Sequence, residues 1–198
     1  MTSPEPAPRI PPVPPRDWDP AMQSAMQPLL PSTPRPPGQP RGLNILGTFA
    51  NHPDLAAAFW VFNGHILNTS TLTQRQTELA ILRVALRRGS EYEWQQHLYA
   101  ARTCGIDDDE IAAIADRDGG HRWSDTDDAL LSAVDELLDG NDLSEQTWAV
   151  LSASLDTRQI MDLIFTVGAY VTIAMLMGVA GIQLDDDLRA DARPFPPV

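Results

Sequence analysis

The uneven distribution of proline limits most strongly how this chain can fold. Of its 18 prolines, 14 lie in residues 1–42, where they prevent regular helices and sheets except in one short patch at 19–27. We therefore expect an extended proline-rich arm over residues 1–42, a folded domain over 43–190 and a short tail over 191–198.

The arm also carries apolar side chains that a fully solvated tail would not need. These residues are Trp18, Met22, Met26, Leu29 and Leu30. Two alternatives are open: the arm is a disordered tail, or these side chains dock it onto its own subunit or a neighbouring one.

Apolar residues recur with helical spacing from Leu43 onward, which predicts an all-α domain. Residue pairs 73/76, 107/110 and 156/159 combine a short polar side chain with Glu or Gln three positions later, as in reciprocal helix caps. Gly105 and Gly140 are expected to follow helix ends in the left-handed conformation. The predicted helices span 43–50, 53–68, 73–88, 91–104, 107–115, 124–139, 144–154 and 156 to about 183.

Composition excludes several classes of protein. The 198 residues are 43% hydrophobic and 21% charged, which fits one soluble domain, and the net charge of −13 disfavours nucleic acid and anionic membranes as partners. The single cysteine, Cys104, allows no intramolecular disulfide and fits the reducing cytoplasm, where we expect the protein to be located. The N-terminus lacks the pattern of a secretory signal.

One segment challenges the soluble interpretation. Residues 165–182 carry no charge over 18 positions, which is the length at which a membrane span becomes a candidate. Three glycines, two threonines and the acidic residues that follow argue against a span. We expect a helix that is buried on all sides.

Three ionisable residues, Glu78, Glu93 and His97, lie on or beside otherwise apolar helix faces. Glu93 and His97 are four residues apart, so they share one face of a helix and can touch. Two carboxyls and one imidazole brought together away from water could act as a proton relay. In the alternative interpretation, Glu93 and His97 form an ordinary surface pair and Glu78 is paired with Arg75 or Arg83.

The order of motifs in this region resembles the carboxymuconolactone decarboxylase family, which includes the alkylhydroperoxidase D proteins. The residues that carry the resemblance are NHPDL, LTQRQTELAILRVA and SEYEWQQHLYAARTCGI, within 43–111. The resemblance implies an all-helical subunit that assembles into trimers or hexamers, with active sites near the subunit contacts. A homo-oligomer acting on a small-molecule substrate is therefore expected.

The chain departs from the family's peroxidase branch at the two decisive positions. In that branch a Glu is followed by two cysteines and a His, and the pattern places the Glu on Glu78, the cysteines on Ser90 and Glu93, and the His on His97. Neither Ser nor Glu can perform thiol–disulfide chemistry. Cys104 lies on a different turn and does not replace the missing pair.

The decarboxylase branch implies acid–base chemistry on a carboxylated lactone. His97 would be the acid, Glu78 would orient it, and Glu93 would act as base or second proton carrier. Arg83 could hold an anionic group, although an ion pair with Glu78 is an equal alternative. The expected pocket wall contains Trp60, Tyr92, Trp94 and His65.

Neither a cofactor nor a metal ion is expected, because no nucleotide-binding motif is present and the histidines lack metal-ligand spacing. The first hypothesis is therefore a cofactor-free lyase. The alternatives are a hydroperoxide reductase that uses Cys104 with a partner thiol, and a non-catalytic oligomer that binds ligands.

Overall fold

The computed structural model describes residues 6–29, 39–189 and 192–196, and within these ranges the chain forms helices and no strands. The predicted all-α fold is confirmed. The α-helices are α1 (Pro20–Ala25), α2 (Leu43–Phe49), α3 (Pro53–Asn68), α4 (Gln74–Arg87), α5 (Glu91–Thr103), α6 (Asp108–Ala115), α7 (Asp125–Gly140), α8 (Glu145–Ser154), α9 (Thr157–Ala180) and α10 (Asp186–Arg189).

Local capping explains where most helices begin. The three predicted capping boxes form at the starts of α4, α6 and α9. Gly105 has a φ of +89°, as expected after α5, but the prediction for Gly140 is wrong. Gly140 is the last residue of α7, and Asn141 takes the left-handed conformation with a φ of 59°. Asn tolerates this region through local hydrogen bonding.

Helix α4 is the centre of the molecule. Residues 77–86 are all buried, and the helix packs against α5, α7 and α9. A helix that is apolar on nearly every side must be surrounded by others. Polar side chains on α4 are therefore held in fixed surroundings, and this is where the site is built.

The arm packs against the helical body of the same chain over residues 6–29. The Arg9 N–H donates to the Ala180 carbonyl at 2.7 Å, and the Val13 N–H donates to the Gly47 carbonyl at 2.9 Å. Met22 on α1 is fully buried. Leu30, the last of the predicted anchors, lies outside the described residues.

Helix α9 is the one helix of the described ranges that is long and apolar enough to cross a membrane, but half of its most apolar window is buried inside the protein. The expectation that it is buried on all sides is wrong. The side chains of Phe165, Met175 and Val179 are each more than half exposed. The helix ends at Ala180 rather than near 183, because Gly181 takes the left-handed conformation.

Candidate functional site

The site is built first from α4 and α5, which pack against each other. Glu78 lies in the second turn of α4 and is only 4% exposed. His97 lies in the middle of α5, and its Nδ1 is 2.8 Å from Oε2 of Glu78. This bond orients the imidazole and leaves Nε2 as the ring nitrogen that can face a substrate. The alternative partners of Glu78 are wrong, since Arg75 binds Glu110 and Asp127.

Glu93 occupies an unusual environment one turn before His97. Its side chain is almost fully buried, and neither carboxyl oxygen has a hydrogen-bond partner in the described part of the chain. The expected contact with His97 is therefore not a hydrogen bond. Burial raises the pKa of Glu93 well above its usual value of 4.5. Burial therefore favours the protonated, neutral form of this carboxyl.

Glu78, Glu93 and His97 line one cavity of about 780 Å³. Trp60 of α3 and Tyr92 of α5 also line it. This volume is sufficient for a small organic molecule. No three His, Cys, Asp or Glu side chains cluster closely enough to hold a metal ion anywhere in the described ranges.

The cavity wall contains further polar atoms that lack a partner among the described residues. They are Nε1 of Trp60, Oδ1 of Asn63 and Oε1 of Gln96. A buried polar atom without a hydrogen bond costs about 1–3 kcal/mol unless water or a ligand satisfies it. Trp60 and Asn63 are three residues apart on α3, so they share a helix face, as do Glu93 and Gln96 on α5.

Tyr170 of α9 is a cavity residue that the sequence analysis missed. Its ring contacts the ring of His97 edge-to-face, with centroids 5.0 Å apart. Burial, with smaller contributions from the charges of Glu78 and Glu93, raises its pKa well above the usual 10. The one sequence signal for Tyr170 is that it is the single tyrosine of an uncharged helical stretch.

Three predicted pocket residues lie elsewhere. Arg83 makes a two-point ion pair with Asp135 of α7, at 2.8 Å for each bond, and donates to the Ile114 carbonyl, so it neither binds Glu78 nor lines the cavity. It faces the opposite side of α4 because it is five residues from Glu78, which is about 500° of helical rotation.

Trp94 and His65 are also wrong as cavity residues. Trp94 is buried on another face of α5, where its ring packs edge-to-face against Phe195. Nε2 of His65 lies 2.9 Å from Asp162 of α9. Tyr92 lines the cavity, but its hydroxyl donates to Asp185 at 2.6 Å and is not available to a ligand.

Neither Ser90 nor Cys104 is suited to the thiol chemistry of a peroxidase. The Ser90 hydroxyl contacts the sulfur of Met177 at 3.3 Å. The thiol of Cys104 donates to the Ala101 carbonyl and does not line the cavity. Burial, followed by the nearby charge of Glu78, raises the pKa of Cys104 to about 11, which disfavours the reactive thiolate.

Comparison with known families agrees with this geometry. Residues 53–136, which include α3, α4, α5 and α6, match the Carboxymuconolactone decarboxylase family. Over this segment the chain is similar to that family. The match contains both members of the Glu78–His97 pair, Glu93 and Trp60, whereas Tyr170 lies beyond it. No curated protein matches the chain significantly.

Solved structures with this family's fold superpose well at low identity. A protein of unknown function from Agrobacterium tumefaciens, named for a suspected antioxidant-defence role as AhpD, has a TM-score of 0.62 and 18% identity over 69% of this chain and 94% of its own. The debrominase Bmp8, in a cysteine-to-alanine variant with 2,3,4-tribromopyrrole bound, has a TM-score of 0.68 and 15% identity over 91% and 94%.

A third similar structure is the AhpD core of an uncharacterised peroxidase-related protein from Ralstonia eutropha. Its TM-score is 0.65 at 15% identity, over 73% of this chain and 78% of its own. At these identities the likenesses show a common fold, and they do not transfer an activity.

Proposed function

We propose that this protein is a cofactor-free acid–base enzyme of the carboxymuconolactone decarboxylase type, acting on a small carboxylated lactone or a related cyclic metabolite. The observation that carries the proposal is the 2.8 Å contact between His97 and Glu78 in the same cavity as the buried, unpartnered Glu93. Two carboxyls in different environments and one imidazole are suited to moving protons.

The proposed reaction balances without an external oxidant or reductant. The bond from the ring to the carboxyl carbon breaks, CO₂ leaves, and the electron pair moves onto the lactone carbonyl oxygen as a dienolate. Nε2 of His97 gives a proton to the ring carbon, and the carbonyl forms again. Because Glu93 and His97 share no hydrogen bond, Glu93 passes a proton to His97 through a bridging water in the cavity and regains one from solvent.

Substrate placement is proposed from the cavity wall. Arg41 is the one arginine among the described lining residues, and it is exposed, so we place the substrate carboxylate near it at the cavity mouth rather than at Arg83. A bound 2,3,4-tribromopyrrole in debrominase Bmp8 supports a ligand the size of one ring. We also propose that the protein is located in the cytoplasm and assembles as a homo-oligomer.

The direct test is CO₂ release from carboxymuconolactone and related lactones in D₂O, with deuterium incorporation at the ring carbon measured by mass spectrometry. His97→Ala and Glu78→Gln should each lower kcat by about a hundredfold or more. His52→Ala is the matched control, because His52 caps α3 and does not line the cavity. Absence of both CO₂ and deuterated product with wild-type protein would overturn the proposal.

A further inference from the structure

The hydroxyl of Tyr170 is a hydrogen-bond donor that the proposed chemistry has not used. Tyr170 is only 2% exposed, and its hydroxyl forms no hydrogen bond within the described part of the chain. Tyrosine hydroxyls that are buried usually find a partner. Since Tyr170 lines the cavity, a bound molecule is the natural partner.

The inner face of α9 directs this residue toward the site. Tyr170, Ile173 and Met177 all line the cavity, and their spacing of three and four residues places them on one face of the helix. The same helix exposes Thr172 and Val179 on another face. The position of Tyr170 therefore follows from how α9 packs and not from a flexible loop.

We propose that Tyr170 is a further catalytic residue, which donates a hydrogen bond to the substrate oxygen that becomes negatively charged, and that the substrates are accordingly cyclic carbonyl compounds that react through an enolate. This inference rests on the proposed function. Because the Tyr170 and His97 rings are in contact, an oxygen held by this hydroxyl lies beside the proton donor. The arrangement couples charge stabilisation to proton delivery at the adjoining carbon.

The neutral phenol suits this role because it keeps its proton while charge develops on the substrate. Burial, followed by the nearby charge of Glu78, raises the pKa of Tyr170 and disfavours a tyrosinate, so the O–H bond remains intact. Donors fixed in a buried site stabilise an oxyanion more strongly than water does, because they need not reorganise during the reaction. Removing one such donor typically lowers the rate by about 100-fold to 1,000-fold.

The test uses 4-nitrophenol, whose ionised form mimics the enolate oxygen and absorbs visible light, together with 4-nitrotoluene as its neutral isostere. Tyr170→Phe should weaken 4-nitrophenol binding at least about tenfold and change 4-nitrotoluene binding less than about twofold. Thr172→Val is the matched control, since it removes a hydroxyl from the exposed face of α9. Equal binding of 4-nitrophenol to wild type and Tyr170→Phe would overturn the inference, as would no binding to wild type.

Two further measurements separate the possible failures. Tyrosine labelled with ¹³C at Cζ should show one resonance, absent from folded Tyr170→Phe, that shifts when 4-nitrophenol is added to the wild-type protein. His97→Ala should retain 4-nitrophenol binding while losing lactone turnover. If Tyr170 governs probe binding but no lactone is turned over, the proposed function fails while the oxygen-binding role stands.

Discussion

At the scale of single residues, environment decides what each carboxyl can do. Glu78 contacts His97 at 2.8 Å, whereas Glu93 has no hydrogen-bond partner among the described residues and burial favours its protonated form. Identical side chains on neighbouring helices thus occupy different environments. Burial likewise favours the protonated form of the Cys104 thiol.

Cys104→Ser should leave both lactone turnover and hydroperoxide consumption at wild-type levels, because the thiol is protonated and does not line the cavity. Peroxide loss can be followed with a colorimetric assay in the presence of excess dithiothreitol. If the wild type consumes hydroperoxide and Cys104→Ser does not, the thiol is the active group and the acid–base account is contradicted.

At the scale of helices, the sequence predicts where each helix begins and ends better than it predicts which side chains face the cavity. The bounds of α3, α4 and α5 follow from apolar spacing and caps, which are local properties. The Glu78–His97 pair could be predicted because the motif order indicates adjacent helices. Arg83 and His65 could not be placed, since their partners Asp135 and Asp162 are distant in sequence.

Asp162→Asn tests one of these distant connections. Asp162 of α9 accepts hydrogen bonds from the Thr71 N–H and hydroxyl at 2.6 and 2.7 Å, and His65 lies 2.9 Å away. Burial opposes ionisation, but the hydrogen bonds from Thr71 and the contact with His65 outweigh it and lower the pKa of Asp162 to about 2. The substitution should cost about 1–3 kcal/mol in the free energy of unfolding.

The pH dependence of this effect has a definite sign. Because the pKa of Asp162 in the folded protein lies below the unfolded value of 3.8, its carboxyl binds fewer protons in the native state than in the unfolded state. Its contribution is therefore complete above about pH 4 and is lost as the pH falls toward 2. Urea unfolding should show the wild-type and Asp162→Asn curves converging at low pH, and a constant difference would contradict this.

Gly64→Ala tests the close approach of the arm to α3. A Cβ at Gly64 would lie 2.7 Å from the Pro28 carbonyl oxygen, whereas one at Gly168 of α9 would meet nothing within 4 Å. Gly64→Ala should therefore destabilise the protein by about 1–3 kcal/mol and expose residues 6–29 to proteases. Gly168→Ala should be neutral or stabilising by about 1 kcal/mol. Equal effects would refute the packing of the arm on α3.

At the scale of the whole molecule, α9 has two distinct sides. One side lines the cavity, and the other presents exposed apolar side chains. The exposed positions Met161, Phe165, Met175 and Val179 recur with helical spacing and carry no charge. An apolar face of this kind typically marks a contact surface. The arm completes the other side, since Trp18 and Met26 line the cavity. Their apolar side chains indicated that the arm could dock, but no local signal indicated that they would reach the cavity.

We expect α9 to mediate assembly. The wild-type protein should have the native mass of three or six copies of the 21.7-kDa chain in analytical ultracentrifugation. The double variant Met175→Glu/Val179→Glu should dissociate, because charges placed in an apolar contact are costly. Trp148→Glu, which adds a charge at an exposed apolar residue of α8, is the control and should keep the wild-type mass. A monomeric wild type would contradict this expectation.

The central claim is that Glu93 is a carboxylic acid within the cavity that holds the Glu78–His97 pair. It is tested most directly by a ¹³C NMR titration of glutamate labelled at Cδ, with the Glu93 resonance assigned by its absence from Glu93→Gln. Because burial raises the pKa of Glu93, its carbon should keep the chemical shift of a carboxylic acid at neutral pH. A Glu93 resonance that titrates near its usual 4.5 would contradict the account.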